Sequence, residues 1–257
     1  EDYELAEKLL RFYVKRMPAS INHLASYLSM HGDADEGFEL LEPLFADNKD
    51  DTLRLIVRMM RERRKEIGDK YDETILKMFR SAIREDPDAI ARRIMNAEFL
   101  EVTQNIEESI KIYDELLDRD DLNPITNATI SNNLSYLLAI SGKRLQDATD
   151  LIEQAISVIG PIDDMLDSRA VVRIAREEYD LAVEDLQFAT SVSQDPVKYY
   201  HLARALLLSG NEQAALKAWE QAQQRGFAKE LLYILEFDSF VETEKEFEKL
   251  QSQNARL

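Results

Sequence analysis

The sequence contains no cysteine, which removes disulfides, thiolate metal ligands and cysteine nucleophiles at once. Glycine and proline are scarce, seven and six in 257 residues, and most stand at the ends of apolar-periodic stretches. So few chain breakers leave long helices joined by short connections. No apolar run approaches the length that crosses a bilayer and no signal sequence opens the chain. Membrane insertion is therefore not expected, and the cytoplasm is the expected location. Positive charge is in the minority, with 32 Lys and Arg against 50 Asp and Glu and a net charge of −18. A phosphate backbone would be repelled by such a chain. This argues against a nucleic-acid partner, fits a neutral or basic protein better, and keeps a long surface soluble.

Catalytic signatures are missing as well. There is no glycine-rich phosphate loop, HExxH or GxSxG, and His23, His31 and His201 stand apart from one another. The acidic group Asp33, Asp35 and Glu36 after His31 has neither the length nor the remaining ligands of a calcium loop. No catalytic residue, cofactor or metal ion is expected.

What the chain does contain is a repeat. In residues 196–227, Ala203 is followed twelve residues later by Ala215, with Trp219 four and Ala222 seven residues beyond, Leu202 just before, and Leu206 and Gly210 between. The same intervals run through Ala25, Gly37, Leu41 and Leu44, through Ala170, Ala182, Leu186 and Ala189, and through Ala97, Ser109 and Tyr113. One inserted residue separates Ser135 from Ala148 in an otherwise regular copy that goes on to Ile152 and Ala155. A third unit is irregular: Leu53, Ile56, Val57 and Met60 precede Ile75, Phe79, Ala82 and Pro87 with about six extra residues between. Either its first helix is longer or a loop forms around Gly68. Glycine at Gly32 supplies a helix end and Asp33 the start of the next helix. Pro124 closes the fourth unit.

A period of about 34 residues with these small and large positions resembles the tetratricopeptide repeat (TPR) of multi-repeat bacterial arrays. The resemblance covers essentially the whole chain. It implies an all-α, right-handed α-α superhelix in one domain: an N-terminal half repeat (1–17), six repeats (18–49, 50–89, 90–127, 128–162, 163–195 and 196–229) and a C-terminal cap (230–257). Ala6, Leu10 and Tyr13 match only the second helix of a repeat, so a fragment of a longer array is expected. Arg169 and Asp185 stand sixteen residues apart where bacterial TPRs often place a structural ion pair. Leu231, Leu232, Ile234 and Leu235 are expected to cover the last repeat, and Phe240, Phe247 and Leu250 to anchor a terminal helix.

The resemblance further implies that the first helix of each repeat lines a concave groove. Projected onto this chain, the rule places Arg54, Arg58 and Arg61 in one stripe at helical spacing. This is the densest basic feature of an acidic protein. Guanidinium forks suit a carboxylate, an acidic peptide segment or a phosphate, and pairing with Glu98 and Glu101 is the structural alternative. The same projection brings Asn132, Asn133 and Tyr136 to the groove, then Asp164, Asp167 and Ser168, then Tyr200, His201 and Arg204. An asparagine amide can hold an extended peptide backbone, or equally make a hydrogen bond between repeats. The tyrosines suit either a binding hot spot or packing. The carboxylate clamp of chaperone-binding TPRs is not reproduced, because Asn22, Ser26, Asp164 and Ser168 replace its key residues. The expected function is a non-enzymatic scaffold that binds a protein or peptide, with an acidic segment as one suitable ligand. The alternative is a self-assembly module in which Leu5, Leu9 and Leu10 meet another copy. A nucleic-acid-binding solenoid and a helical enzyme fit less well.

Overall fold

Two neighbouring helices pack closely only where one offers a side chain small enough for the other's backbone to approach. The computed structural model describes residues 2–254, and it places the repeated small residues at such contacts. Ala25, Ala97, Ser135, Ala170 and Ala203 on first helices, and Ser109, Ala148, Ala182 and Ala215 on second helices, are all fully buried. The described residues form α1 (Tyr3–Arg16), α2 (Ile21–His31), α3 (Ala34–Leu44), α4 (Lys49–Ile67), α5 (Asp72–Glu85), α6 (Ile90–Val102) and α7 (Ile106–Leu117). They continue with α8 (Pro124–Ile140), α9 (Leu145–Ile159), α10 (Asp163–Ala175), α11 (Tyr179–Val192), α12 (Pro196–Leu208), α13 (Glu212–Gln224) and α14 (Phe237–Asn254). From α2 to α13 the helices succeed one another as six pairs, the repeat architecture expected from the sequence.

The turns follow from local chemistry. Asp33, Asn48, Asn123, Asp195 and Asn211 each accept a backbone amide of the helix they start. Pro124, expected to close the fourth unit, also opens α8 at its first position, where its missing amide costs nothing. Gly210 takes φ +84° after α12, so that the Asn211 amide reaches back to the Leu206 carbonyl at 2.9 Å and satisfies the helix end. Contacts divide the chain into two compact units, residues 1–112 and 113–257, with the division inside α7.

In the first unit α2 packs on α3, α3 on α4, and α4 on both α5 and α6, around Phe38, Leu41, Leu53, Ile56, Met59, Ile75, Phe79 and Phe99. Gly37 sets the closest approach. A Cβ built there would lie 2.5 Å from the Ser29 nitrogen and 2.6 Å from its Cα. In the irregular third unit the extra residues lengthen the first helix rather than forming a loop. α4 continues to Ile67, bends at Arg63 (φ −124°, ψ 19°) and stops at Gly68. The bend has a visible partner: the Arg63 guanidinium donates to the carbonyls of Leu28 (3.1 Å) and Gly32 (2.8 Å) and so caps the end of α2. The acidic group near His31 is also occupied locally. Asp33 caps α3, Asp35 accepts from Lys70 (2.7 Å) and the Tyr71 hydroxyl (2.8 Å), and Glu36 pairs with Arg11.

In the second unit α8 pairs with α9, α10 with α11 and α12 with α13. Arg169 binds Asp185 through two parallel hydrogen bonds of 2.9 and 2.7 Å, the expected ion pair, and Arg173 binds the same carboxylate. Lys198, almost fully buried, is neutralised by Asp163 and Asp164. The cap departs from expectation in part. Phe240, Phe247 and Leu250 are buried, with the Phe247 ring stacked 5.3 Å from Trp219. Of the four aliphatics before them only Leu232 is buried, whereas Leu231, Ile234 and Leu235 face outward. Residues 228–236 are not an amphipathic helix but two single 3-10 turns (Lys229–Leu231 and Ile234–Glu236) separated by extended backbone. They have no long apolar face to bury.

The packing sets the expected effect of two substitutions. Alanine for glycine within a helix usually stabilises, by about 0.5–1 kcal/mol. Gly37→Ala is expected to do the reverse by about 1–3 kcal/mol through overpacking, read as a lower urea midpoint. Asp185→Asn leaves Arg169 and Arg173 without their shared counter-charge in a largely buried setting. It should cost about 2–3 kcal/mol in the same assay, and an unchanged midpoint would show that the cluster contributes nothing.

Candidate peptide-binding grooves

In the first unit, α2 and α4 present a shallow depression of about 530 Å³ lined by Asn22, His23, Ser26, Asp51, Arg54 and Leu55. Further along α4 stand Arg58 and Arg61, on the stripe the helical spacing predicts. All three guanidinium side chains are more than half exposed, at 65%, 61% and 56%. Their partners are modest. Arg54 meets Asp51 at 2.8 Å and Arg58 meets Glu62 at 2.9 Å, both on the same helix, while Arg61 lies 4.0 Å from Glu98. The Glu98 carboxyl is pushed above its ordinary range, because burial disfavours its charged form more than Arg61 supports it. Glu101 is buried and accepts from the Ser109 hydroxyl at 3.4 Å, within a contact internal to the fold.

The second unit is built differently. Asn132, Asn133 and Tyr136 lie on α8, Asp164, Asp167 and Ser168 on α10, and Tyr200, His201 and Arg204 on α12. Asn132 donates to Asn133 (3.2 Å), and Asn133 donates to the Tyr113 hydroxyl (3.3 Å), so Asn133 makes the bond between repeats that was its structural alternative. The Asn132 side-chain oxygen is buried with no hydrogen-bond partner. Tyr200 is fully buried and its ring packs against Trp219, Phe227 and Phe240. Burial is the main reason its phenol is pushed up to about 12. Arg204 borders a second depression shared with Ser239, Glu242, Thr243 and Lys245 of α14.

His201 is also fully buried, yet it is held between two carboxylates. Its Nδ1 lies 2.8 Å from Asp167 and its Nε2 3.2 Å from Glu236. Burial opposes charging the ring, but the two acids outweigh it and push its pKa up to about 10. At neutral pH the ring is therefore an imidazolium that donates from both nitrogens. Both of its nitrogens are engaged by carboxylates of the chain itself.

Glu236 is the buried acid that the repeat pattern did not reveal. It is 3% exposed, and three donors converge on it: His201 Nε2, the Tyr136 hydroxyl at 3.1 Å and the Tyr233 amide at 3.2 Å. The Tyr136 phenol sits well above its ordinary range, first through burial and then through Glu236 and Asp167, so it remains a donor. The Tyr233 ring covers Tyr136 at 5.4 Å. Thus two of the residues projected onto the groove, Tyr136 and His201, meet on a segment of the protein's own chain. The signal in the sequence was slight: a single acid ending the apolar run Leu231–Leu235.

No protein-family model matches the sequence, and no curated protein does. Solved structures do match. A tetratricopeptide repeat protein from Parabacteroides merdae superposes with a TM-score of 0.68 at 15% identity, over 97% of this chain and 92% of that one. PilW, a type IV pilus biogenesis factor, matches with a TM-score of 0.58 at 16% identity over 82% of this chain and 96% of its own. A thermophilic TPR protein from Thermus thermophilus matches with a TM-score of 0.52 at 16% identity, covering 70% of this chain and 90% of its own. None of the described helices is long and apolar enough to cross a membrane. The paired helices, their buried small residues at the repeat interval and these superpositions together give the chain the tetratricopeptide-repeat fold.

Proposed function

We propose that the protein is a non-enzymatic scaffold that binds a peptide or protein in the grooves of its first helices, and that the arginine stripe of α4 receives an acidic segment. The observation that carries this reading is the exposure of Arg54, Arg58 and Arg61 on one stripe of α4, with Arg54 at the rim of an open depression, in a chain of net charge −18. Surface ion pairs within one helix are worth only about 0–1 kcal/mol, so a ligand with several carboxylates exchanges them at little cost. Guanidinium forks then bind those carboxylates bidentately. The buried, doubly hydrogen-bonded His201 supports a binding rather than a catalytic role for the second unit.

A second reading rests on α1. Tyr3, Leu5, Leu9, Phe12, Tyr13 and Met17 are each between 43% and 58% exposed, and α1 contributes no buried residue. An apolar face of this kind suits association with a second copy.

The two readings separate cleanly. A fluorescein-labelled oligoglutamate peptide, followed by anisotropy, is expected to bind the wild-type chain and to lose about tenfold or more in affinity when Arg54, Arg58 and Arg61 are all changed to Ala, equivalent to about 1.4 kcal/mol. Equal binding by a folded triple variant would remove the acidic-ligand reading. For self-association, light scattering should show a mass that rises with concentration and returns to the monomer value when Leu5, Leu9 and Phe12 are changed to Ser. A constant monomer mass in the wild type would eliminate it.

A further inference from the structure

Residues 228–236 run from the end of α13 to the start of α14 as a strap fixed at both ends. Phe227 packs on Tyr200 and Trp219 before it, and Phe240 packs on the same two rings after it. Between these anchors Leu232 is buried in the core of this unit. Leu231, Ile234 and Leu235 are 53%, 50% and 42% exposed, and the buried side chains are Leu232 and Glu236. The backbone is extended at Ala228, Leu232 and Tyr233, the conformation of a bound peptide rather than of a capping helix. Besides Leu232, its contacts are one carboxylate and one ring: Glu236 receives the Tyr136 hydroxyl and His201 from the groove, the strap's own Tyr233 amide turns back onto the same carboxylate, and Tyr233 lies against Tyr136. Asp167 orients His201 from the far side of the ring.

We propose that this strap is an internal ligand of the second groove, and that the groove's external partner is an extended peptide of another protein carrying Tyr-X-X-Glu chemistry in place of Tyr233 and Glu236. The proposal rests on the scaffold reading but uses residues other than the arginine stripe, so either can fail alone. Three observations support it. The site suits a carboxylate: His201 Nε2 and the Tyr136 hydroxyl, both in a buried setting of an acidic protein, converge on Glu236, and without an acceptor there both would lose a hydrogen-bond partner. The internal segment leaves part of the groove unmet, because the buried Asn132 oxygen, one helical turn from Tyr136 on the same face, accepts no hydrogen bond. A longer peptide has backbone amides to offer it. The strap is also released without undocking α14, since Phe240, Phe247 and Leu250 hold that helix independently of Glu236. Because the strap is tethered, it competes at an effective concentration of roughly millimolar, so it acts as a threshold that only a well-matched peptide exceeds.

The test uses the full chain and a fluorescein-labelled synthetic peptide of residues 228–241 as probe. Glu236→Ala is expected to bind this peptide at least tenfold more tightly than wild type. The gain should vanish when the peptide carries Gln at its Glu236 position, and also in the double variant Glu236→Ala with Tyr136→Phe. Amide exchange should rise in residues 228–236 of Glu236→Ala while α8, α10 and α12 stay protected. Should that variant fail to fold, Glu236→Gln keeps the shape and removes the charge, and the same comparison applies. A folded variant that binds the peptide no better than wild type would overturn the proposal, as would loss of protection throughout α12. Concentration-dependent dimerisation of the variant without peptide binding would overturn it too, because the occupant would then be the strap of a second copy.

Discussion

Close approach between helices at small residues is the constraint on which the rest of this structure depends. A side-chain carbon at Gly37 would fall within 2.6 Å of the Ser29 backbone, and Ala25, Ala170, Ala203 and Ala215 mark comparable contacts elsewhere with no accessible surface at all. Close packing of this kind fixes the position of one helix against the next, so the large residues at neighbouring positions, such as Leu41, Leu186 and Trp219, fall into the gaps between helices. Without those small residues the helices would still form, but their mutual positions would not be set. Groove residues on successive first helices would then have no common geometry.

Charge is distributed as selectively as size. Basic residues are outnumbered, and several of them are used inside the fold rather than on its surface. Arg63 caps α2, Arg169 and Arg173 share Asp185, and Lys198 is buried against Asp163 and Asp164. Each of these neutralises an acid or satisfies a carbonyl at a junction between helices. Arg54, Arg58 and Arg61 of α4 differ in that their side chains are more than half exposed and pair only with neighbouring surface acids. That contrast, between cations engaged within the fold and cations left at its surface, singles out the stripe more sharply than its spacing does.

The two units thus place their polar groups in opposite ways. The first offers exposed guanidinium groups, for which salt and solvent compete. The second buries one imidazolium between Asp167 and Glu236, and its carboxylate comes from its own chain. An exposed stripe leaves its charges open to solvent, whereas a buried donor set holds one carboxylate at one place. Both are ways of using the polar positions of a repeat.

Much of the fold was legible in the sequence. The intervals from Ala203 to Ala215 and Trp219, and their copies, specify helix pairs, and Arg169 with Asp185 specifies an ion pair, because each joins helices adjacent along the chain. Other features were legible only as alternatives. The extra residues before Ile75 could have been loop or helix, and it took the carbonyls of Leu28 and Gly32, acting on Arg63, to favour the longer, bent helix. The apolar pattern expects Leu231, Leu232, Ile234 and Leu235 to cover the last repeat, but Leu231, Ile234 and Leu235 point away from the core. For Glu236 the only signal is its place at the end of that apolar run. The sequence by itself determined the helices, their pairing and their charge, since periodicity records contacts between near neighbours. Tertiary structure alone decided that Tyr136 and His201 face Glu236, because the bond from Tyr136 spans one hundred residues and no local pattern encodes an encounter at that distance.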